Sequence, residues 1–425
     1  MRADWQGLAP TRHVLPGGSV VVAKRSRTNP AVTFNVAVRA GSLHDPDERL
    51  GLAHFLSRVI DRGTENRTAD RIADELDNAG VALNVTTTRH ALTFSCTCLA
   101  HDFGAILELV GDIVRRPIFP DPEIETRRRE IITSIRQDED SPAVMAVETL
   151  FGLLYPGPHP YGRRAKGTVG TVERIDRPSL QQFHRAHFHA ASAMIVIVGD
   201  VEESKAIDAA ARVFDGWNGS SPDAESLGSV APPESRRQVV IPMAGKAQSD
   251  IAYGFTTIAR ADPAYYDFWV MNNVLGQYAL GGRLGDSIRE RQGMAYYVFS
   301  AFDANVGEGP LVIRAGVNPA NVERTIASID EEVSRMAKEG ATERELADSK
   351  QHLIGSVPRN LETNAGIAAF LQTAEYFGLG LDYDVRLKDL IGGVTREGVA
   401  DVARRFLVPS RATITVAGPG DPATR

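Results

Sequence analysis

The sequence predicts an α+β protein built from two homologous domains, each a largely antiparallel sheet packed with helices. At 425 residues the chain exceeds the size of one ordinary hydrophobic core. Its two halves end alike: LQQFHRAHFHAASAMIVIVGD at 180–200 and VADVARRFLVPSRATITVAGP at 399–419 share an amphipathic helix, a short loop and an apolar strand. Strands and helices also mix without the strict alternation of a parallel fold, which favours antiparallel sheets.

The boundary between the two halves is predicted near the middle of the chain. Residues 216–237 are dense in Gly, Ser, Pro and Asp and separate two apolar-periodic regions, as a linker does. We therefore predict an N-terminal domain over 1–215, a linker over 216–237 and a C-terminal domain over 238–425. The glycines that close the two similar strands are Gly199 and Gly418, which gives an internal offset of 418 − 199 = 219 residues.

Each half opens with a strand followed by a helix. VTFNVAVRAGS at 32–42 and DIAYGFTTIA at 250–259 alternate apolar and polar residues, which predicts strands, and LGLAHFLSRVI and YYDFWVMNNVLG after them have helical periodicity. Further helices are indicated by segments such as ADRIADELDNAG and VERTIASIDEEVSRMAKEG, which end at a glycine. Cys96 and Cys98 fall on one face of a predicted strand, and two cysteines are too few for a disulfide framework.

Composition excludes several classes of function. No stretch approaches the roughly 18 apolar residues of a membrane span. The formal charge of −7 gives no basic footprint for nucleic acid, because the basic run TRRRE at 126–130 is short. The N-terminus lacks the apolar region of a secretory signal, so we expect a cytoplasmic protein, or a periplasmic one if a signal peptide preceded this sequence.

One helix has the frame of a zinc site in which two of the expected functional side chains are replaced. The segment GLAHFLSRVIDRGT at 51–64 fits the inverted motif H-x-x-E-H, in which two histidines hold the metal and the glutamate activates water. His54 is present, but Ser57 takes the place of the glutamate and Arg58 that of the second histidine. An arginine stays protonated and has no lone pair for a metal, so we predict no metal site and no cofactor in this chain.

Four stretches in order make the chain similar to the M16 peptidase family, the pitrilysin and insulin-degrading group, and within it to the short-chain M16B branch. They are AGSLHDPDERLGLAHFLSRVIDRGT, EIETRRREIITSIRQDEDSP, LLYPGPHPYGRRAKGTVGTVERID and LGGRLGDSIRERQGMAYYVFS. The resemblance implies a duplicated fold of the LuxS/MPP-like type. Active members carry a third zinc ligand about 76 residues after the second histidine, and 134 − 58 = 76 leads to Ser134, so that ligand is replaced as well.

The fourth stretch holds the candidate catalytic residues. Family members that use their C-terminal half in catalysis carry an arginine and a tyrosine seven residues apart, and this chain has Arg289 and Tyr296. A guanidinium and a phenol can stabilise the charge that develops on a peptide carbonyl oxygen, and Gly293 between them allows the chain to turn. The alternative is a surface arginine paired with Glu290 or another acid, and a tyrosine that fills a strand face.

These residues imply a division of labour. In the short-chain branch some pairs consist of one chain with zinc and its base and a second chain with the Arg and Tyr. We therefore expect this chain to be the non-metal subunit of a heterodimeric zinc peptidase, inactive by itself, that acts on extended peptides with a zinc-bearing partner of similar size. The alternative is a structural or peptide-binding protein without activity, similar to the core proteins of respiratory complexes.

Two further possibilities concern histidines. A rescued metal site would have to combine His54 with His44, Asp45 or Asp47 from the preceding loop, which the triple replacement disfavours. His187 and His189 form an H-x-H pair in a helix-to-strand loop, where we expect a solvated or capping role.

Overall fold

The computed structural model describes residues 7–219, 227–278 and 280–419. The predicted linker at 216–237 lies partly outside the described residues. So do residues 1–6 of the predicted N-terminal domain and residues 420–425 of the predicted C-terminal domain. Within the described ranges there are two β-sheets, each packed with helices, so the predicted α+β class is confirmed. None of the helices in these ranges combines the length and apolar character needed to cross a bilayer.

Eleven strands in the described ranges form the two sheets. They are β1 (Thr11–Val14), β2 (Val20–Arg25), β3 (Ala31–Val38), β4 (Asn84–Thr87), β5 (Leu92–Leu99), β6 (Ala193–Gly199), β7 (Arg237–Pro242), β8 (Ser249–Thr256), β9 (Ala295–Phe302), β10 (Pro310–Val317) and β11 (Thr413–Gly418).

The α-helices of the described ranges are connected to these strands by short turns and 3-10 segments. They are α1 (Leu52–Val59), α2 (Ala69–Asn78), α3 (Phe103–Arg115), α4 (Asp121–Glu139), α5 (Pro142–Leu154), α6 (Val169–Glu173), α7 (Arg177–His187), α8 (Glu203–Phe214), α9 (Tyr265–Asn272), α10 (Gly282–Leu284), α11 (Val322–Glu339), α12 (Glu343–Asn360), α13 (Asn364–Tyr376), α14 (Tyr383–Gly392) and α15 (Arg396–Phe406).

The two sheets have the same strand order. The first is β1-β2-β6-β3-β5-β4 and the second is β7-β11-β8-β10-β9, so β2, β6, β3, β5 and β4 correspond to β7, β11, β8, β10 and β9. In both sheets one pair is parallel, β2 with β6 and β7 with β11, and the remaining pairs are antiparallel. The extra strand β1 pairs with β2 at one edge of the first sheet. The shared order is the structural counterpart of the predicted internal duplication.

The central strand of the first sheet is buried on both faces, although its sequence alternates. Phe34 on β3 packs edge-on against Phe103 of α3, with ring centroids 5.9 Å apart. The next residue, Asn35, points the other way and donates a hydrogen bond to Gln372 of α13 at 2.9 Å. Polar residues at alternate positions of this strand therefore bond to a covering helix, which satisfies their hydrogen bonds away from water.

The second sheet is covered in the same way. Helix α5 packs on β8 and β11, where the Thr415 hydroxyl donates to the Ala146 carbonyl at 2.7 Å. On the opposite face of β8, the Tyr253 hydroxyl donates to Asp330 of α11 at 2.8 Å. Burial of α5 against the sheet explains its high apolar content.

The compact units of the chain combine segments from both sequence halves. One comprises 1–136, 164–226 and 358–385, and the other comprises 137–163, 227–357 and 386–425. Helix α13 thus belongs to the unit of the first sheet, and α5 to the unit of the second. Each sequence half therefore contributes one helix to the compact unit of the other half's sheet. The predicted boundary at 216–237 describes the duplicated sequence rather than these units, and it stays a prediction.

Candidate functional site

Arg289 lies on a π-helical segment, Gly285–Arg291, that continues α10 and packs against β9. Single π-helical turns within helices are uncommon and often occur at functional sites. The segment is preceded by two glycines with left-handed backbone, Gly281 at φ +111° and Gly282 at φ +57°. A Cβ at Gly282 would come within 2.4 Å of the Val274 carbonyl oxygen, so this close approach requires glycine.

A buried ion pair anchors the start of this helical run. The Arg283 guanidinium, 7% exposed, donates two hydrogen bonds to Glu345 of α12 at 2.6 and 2.7 Å, and a third to the Gly340 carbonyl. Partial burial works against the charged form of Glu345, but hydrogen bonds from Arg283 and Thr342 outweigh it and lower the pKa of this carboxyl to about 2. The pair stays charged at neutral pH and ties α10 to α12.

The turn after the π-helical segment is closed by a glycine. Gly293 has φ +60° and donates its N–H to the Arg289 carbonyl at 3.1 Å, while Met294 donates to the Ile288 carbonyl at 3.0 Å. A left-handed glycine whose N–H bonds to the carbonyl four residues earlier is the αL type of helix end. The chain passes from the helix to strand β9 within three residues.

Tyr296 is the extra residue of a β-bulge on that strand. In the pairing of β9 with β10, Gly316 lies opposite Tyr297 and Val317 lies opposite Ala295, so Tyr296 has no partner position. Its side chain is 69% exposed. A bulge turns a side chain away from the regular alternation of the strand, and bulges are frequent at sheet edges beside active sites. The alternative of a tyrosine that fills a strand face does not hold for Tyr296.

The neighbouring Tyr297 has a structural role instead. Its hydroxyl donates a short hydrogen bond to Asp250 of β8, and its ring lies over Gly316, where a Cβ would come within 2.5 Å. Burial, the hydrogen bond to Asp250 and the charge of that carboxylate all raise the pKa of the Tyr297 phenol. Of the two adjacent tyrosines, Tyr296 is the one that can reach a ligand.

Arg289 is also exposed, and its only described ion-pair partner is weak. Its Nε lies 3.6 Å from the Glu290 carboxylate, and both side chains are about half exposed. Exposed pairs of this kind contribute about 0–1 kcal/mol, so Glu290 does not hold the guanidinium firmly. No hydrogen bond joins Arg289 to Tyr296 within the described residues; they stand on either side of one tight turn. Each can donate to an anionic or carbonyl oxygen.

The degenerate zinc helix α1 is held by a carboxylate at its N-terminus. Asp45, 2% exposed, accepts hydrogen bonds from the backbone N–H groups of Gly51 and Ala53, both at 2.8 Å. These N–H groups have no partner within the helix. Because both carboxylate oxygens are used in this cap, Asp45 does not fit the rescued ligand set considered from the sequence.

The three replaced positions make contacts that do not fit a metal. Ser57 is buried and its hydroxyl donates to the His54 carbonyl at 2.7 Å. Arg58 is exposed. Ser134 on α4 accepts a hydrogen bond from the Lys166 ammonium at 3.1 Å, so a positive charge stands at the position of the third ligand. In the ranges that the structure describes, no three His, Cys, Asp or Glu side chains are grouped to hold a metal ion.

Lys166 was not among the residues that the sequence singled out. It lies in the loop before α6, far along the chain from α4, and no spacing rule connects it to Ser134. Lys166 is the cation that contacts a former ligand position.

Of the two roles expected for the H-x-H pair, solvated or capping, the solvated one does not hold, and His189 stands at the N-cap position of the 3-10 turn Ala190–Ser192. His189 is 6% exposed, and His187 stacks on His44 with ring centroids 4.3 Å apart. Burial, followed by the nearby His44 and His189, lowers the pKa of His187 to about 4. The His187 and His189 rings are therefore neutral packing groups at physiological pH. The local sequence FHRAHFHAAS looked polar because histidine is counted as polar whether or not it is charged.

Comparison with known proteins assigns both halves of the chain. A family model described as "Insulinase (Peptidase family M16)" matches residues 20–152, and one described as "Peptidase M16 inactive domain" matches 174–353. An uncharacterized zinc protease of Streptomyces coelicolor is 26% identical, over 96% of this chain and 89% of that protein. Another, from Bacillus subtilis, is 24% identical over 96% and 98%.

Solved structures share the fold. A peptidase M16 inactive domain from Pseudomonas fluorescens has a TM-score of 0.89 at 24% identity and covers 97% of this chain and 98% of its own. A protease from Helicobacter pylori has a TM-score of 0.88 at 18% identity, with coverage of 96% and 99%. The duplicated two-sheet architecture is thus a known one.

Proposed function

The chain belongs to the M16 peptidase family, and on that premise we propose that it is the non-metal subunit of a heterodimeric zinc peptidase. In this proposal a partner of similar size and the same family, from the short-chain branch, carries the zinc ion and its general base. This chain supplies Arg289 and Tyr296. The subunit by itself neither binds zinc tightly nor cleaves peptides, because Ser57, Arg58 and Ser134 do not fit the metal.

The observation that carries the proposal is the placement of Tyr296. A phenol that is 69% exposed on a bulge contributes little to the core, so packing gives no reason for a large aromatic residue there. Its neighbour Tyr297 already fills the space over Gly316. The geometry instead leaves the Tyr296 hydroxyl free to donate to something outside the chain.

The chemistry follows from the charge of the reaction. When water attacks a peptide carbonyl, negative charge builds on the carbonyl oxygen, and donors fixed in advance stabilise that charge more than the starting amide. Tyr296 can donate one hydrogen bond through its hydroxyl. Arg289 can stabilise the same oxygen or hold the adjacent backbone carbonyl of the peptide through its planar set of donors.

The edge position of β9 supports an extended peptide as substrate. In the described residues β9 pairs with β10 alone, so its other edge presents backbone N–H and C=O groups without a strand partner. A peptide that adds as a further strand would be bound through its own backbone, which gives broad sequence specificity. Added at this edge, it would lie beside the bulge that carries Tyr296.

The experiment is a reconstitution of peptide cleavage. The chain is purified alone and together with M16 proteins of its own organism that carry an intact H-x-x-E-H motif, and cleavage of a fluorogenic extended peptide is measured. We expect activity only in the mixture. Arg289→Ala and Tyr296→Phe should each lower kcat/KM by a factor on the order of 10², the usual loss for one donor to a developing oxyanion.

Two matched variants separate site effects from folding effects. Arg291→Ala removes an exposed arginine from the same helical segment, where it pairs with Asp286 at 3.1 Å. Tyr297→Phe removes the buried hydroxyl one position from the bulge. Both should leave kcat/KM within about threefold, although Tyr297→Phe should lower the melting temperature. Full cleavage by the zinc-bearing subunit without this chain would refute the proposal. Assembly with that subunit and no dependence on Arg289 or Tyr296 would point to a structural role.

A further inference from the structure

A recess opens at one end of the first sheet, inside a single compact unit. It encloses about 70 Å³ and lies where β3 ends, β6 begins and the last turn of α13 passes. It is lined mostly by small or apolar residues, among them Ala37, Ala193 and Met194, which are all less than 10% exposed. The recess is therefore a fixed feature of packed strands rather than of a loose loop.

The mouth of the recess carries one positive charge without an acidic partner. Arg39 follows β3 and is exposed, and its guanidinium carbon lies 5.6 Å from the ring centroid of Tyr376. Its backbone N–H donates to the Ser192 carbonyl at 3.0 Å, which fixes the base of the side chain. In the part of the chain that the structure describes, no carboxylate lies within ion-pair distance of Arg39.

The acidic residue at the mouth is already neutralised. Glu375 accepts three hydrogen bonds from Arg12, between 2.9 and 3.1 Å, in a two-pronged ion pair. This geometry uses both carboxylate oxygens and is the strong form of an arginine–carboxylate pair. Burial raises the pKa of the Tyr376 phenol, so that ring is uncharged at neutral pH. The mouth as a whole therefore carries the charge of Arg39.

We propose that this recess binds a carboxylate attached to a short aliphatic group, namely the C-terminal residue of a peptide. The carboxylate pairs with the Arg39 guanidinium, and the aliphatic side chain packs against Ala37 and Met194, which are partners across β3 and β6. Small ligand sites typically combine a mostly apolar wall with a few placed polar groups. At about 70 Å³ the recess suits a short aliphatic group of one terminal residue rather than a folded segment.

Binding of a ligand to this recess does not depend on cleavage. Arg39 belongs to the unit of the first sheet, and Arg289 and Tyr296 belong to the unit of the second. A tripeptide ending in leucine would bind the recess whether or not the chain acts in a peptidase. The two proposals can therefore fail independently.

The test is a titration of the whole chain by calorimetry. The ligands are Ala-Ala-Leu with a free carboxylate, the same tripeptide as its C-terminal amide, and isovalerate, which has the carboxylate and aliphatic group without a peptide bond. We expect the free tripeptide to bind with a Kd at or below the millimolar range. The amide should bind at least tenfold more weakly, because the hydrogen bond to a charged group is lost.

The variants locate the site. Arg39→Gln should weaken the free tripeptide at least tenfold and leave the amide unchanged, and Ala91→Leu, which adds volume to the wall, should weaken both. Arg129→Gln, an exposed arginine of α4 in the same unit, should change neither. Thermal melts check that each variant is folded. Equal affinity for acid and amide, or no effect of Arg39→Gln, would overturn the proposal. Isovalerate bound as tightly as the tripeptide would overturn the assignment to a peptide end.

Discussion

The ion pair between Arg283 and Glu345 should give the second unit an acid-dependent stability that a single substitution removes. The pKa of Glu345 falls from 4.5 to about 2 on folding. That difference corresponds to about 3 kcal/mol of unfolding free energy at neutral pH. Because 31% of the glutamate side chain is exposed, solvent screening reduces this figure, and we expect about 2 kcal/mol.

The sign of the pH dependence follows from the lowered pKa. A carboxylate that is more acidic when folded contributes its full stability above pH 4.5, and it loses that contribution as the pH falls toward 2. Glu345→Gln should therefore lower the unfolding free energy by about 2 kcal/mol at pH 7 and by only about 1 kcal/mol at pH 3.5. At the lower pH, part of the wild-type contribution has already been lost.

The assay is urea unfolding followed by the fluorescence of Trp269, which lies on α9 in the unit of the second sheet. The chain has three tryptophans, so Trp5 and Trp217 are replaced by phenylalanine in the background. Glu343→Gln is the matched control: it lies on the same helix, is 89% exposed and contacts Arg396 at only 3.9 Å. Equal destabilisation by Glu345→Gln at both pH values, or none at pH 7, would refute this account of the pair.

Three further predictions concern the unit of the first sheet. Asp45→Ala should lower its unfolding free energy by about 2 kcal/mol in thermal melts, because two backbone N–H groups lose their cap; an unchanged melting temperature would contradict the role of Asp45. The pKa of His187 is lowered from 6.5 to about 4, so the free energy of unfolding should decrease as the pH falls from 6.5 toward 4. In the variant His187→Phe this decrease should be smaller by about 1 kcal/mol. A variant in which Ser57, Arg58 and Ser134 are replaced by the Glu, His and Glu of an intact zinc site should bind zinc only when Lys166→Leu is added. The Lys166 ammonium otherwise pairs with the new glutamate at position 134. Elemental analysis measures the zinc content, and full zinc content with Lys166 retained would disprove this.

Much of the architecture could be predicted from the sequence, because its signals are local and repeated. The opening strands, the helix after each of them and the similar ends of the two halves all appear in the structure. The exchange of α5 and α13 between the compact units could not be predicted. The apolar composition of a helix indicates that the helix is buried. It does not indicate which of two similar sheets covers that helix.

The residues of the candidate site could be predicted from the sequence, but the backbone geometry that positions their side chains could not. Arg289 and Tyr296 could be chosen from the stretch GGRL…IRERQGMAY, and Gly293 between them predicted the turn. The bulge that distinguishes Tyr296 from Tyr297 depends on the register of β9 against β10, which is a contact between distant segments. The assignment of both residues to catalysis stays a prediction until activity is measured.

The two regions of interest differ in the way their backbones are stabilised. Around helix α1, Asp45 caps the helix N-terminus and Lys166 bonds to Ser134. Around Arg289 and Tyr296 the backbone is irregular, with left-handed glycines, a π-helical segment and a bulge within about fifteen residues. Irregular backbone of this kind generally costs free energy and persists where the surrounding structure enforces it. Here the buried Arg283–Glu345 pair provides that enforcement, and the result is two exposed donors with little role in packing. A function that acts on an external oxygen accounts for this arrangement, whereas stability of the isolated chain does not.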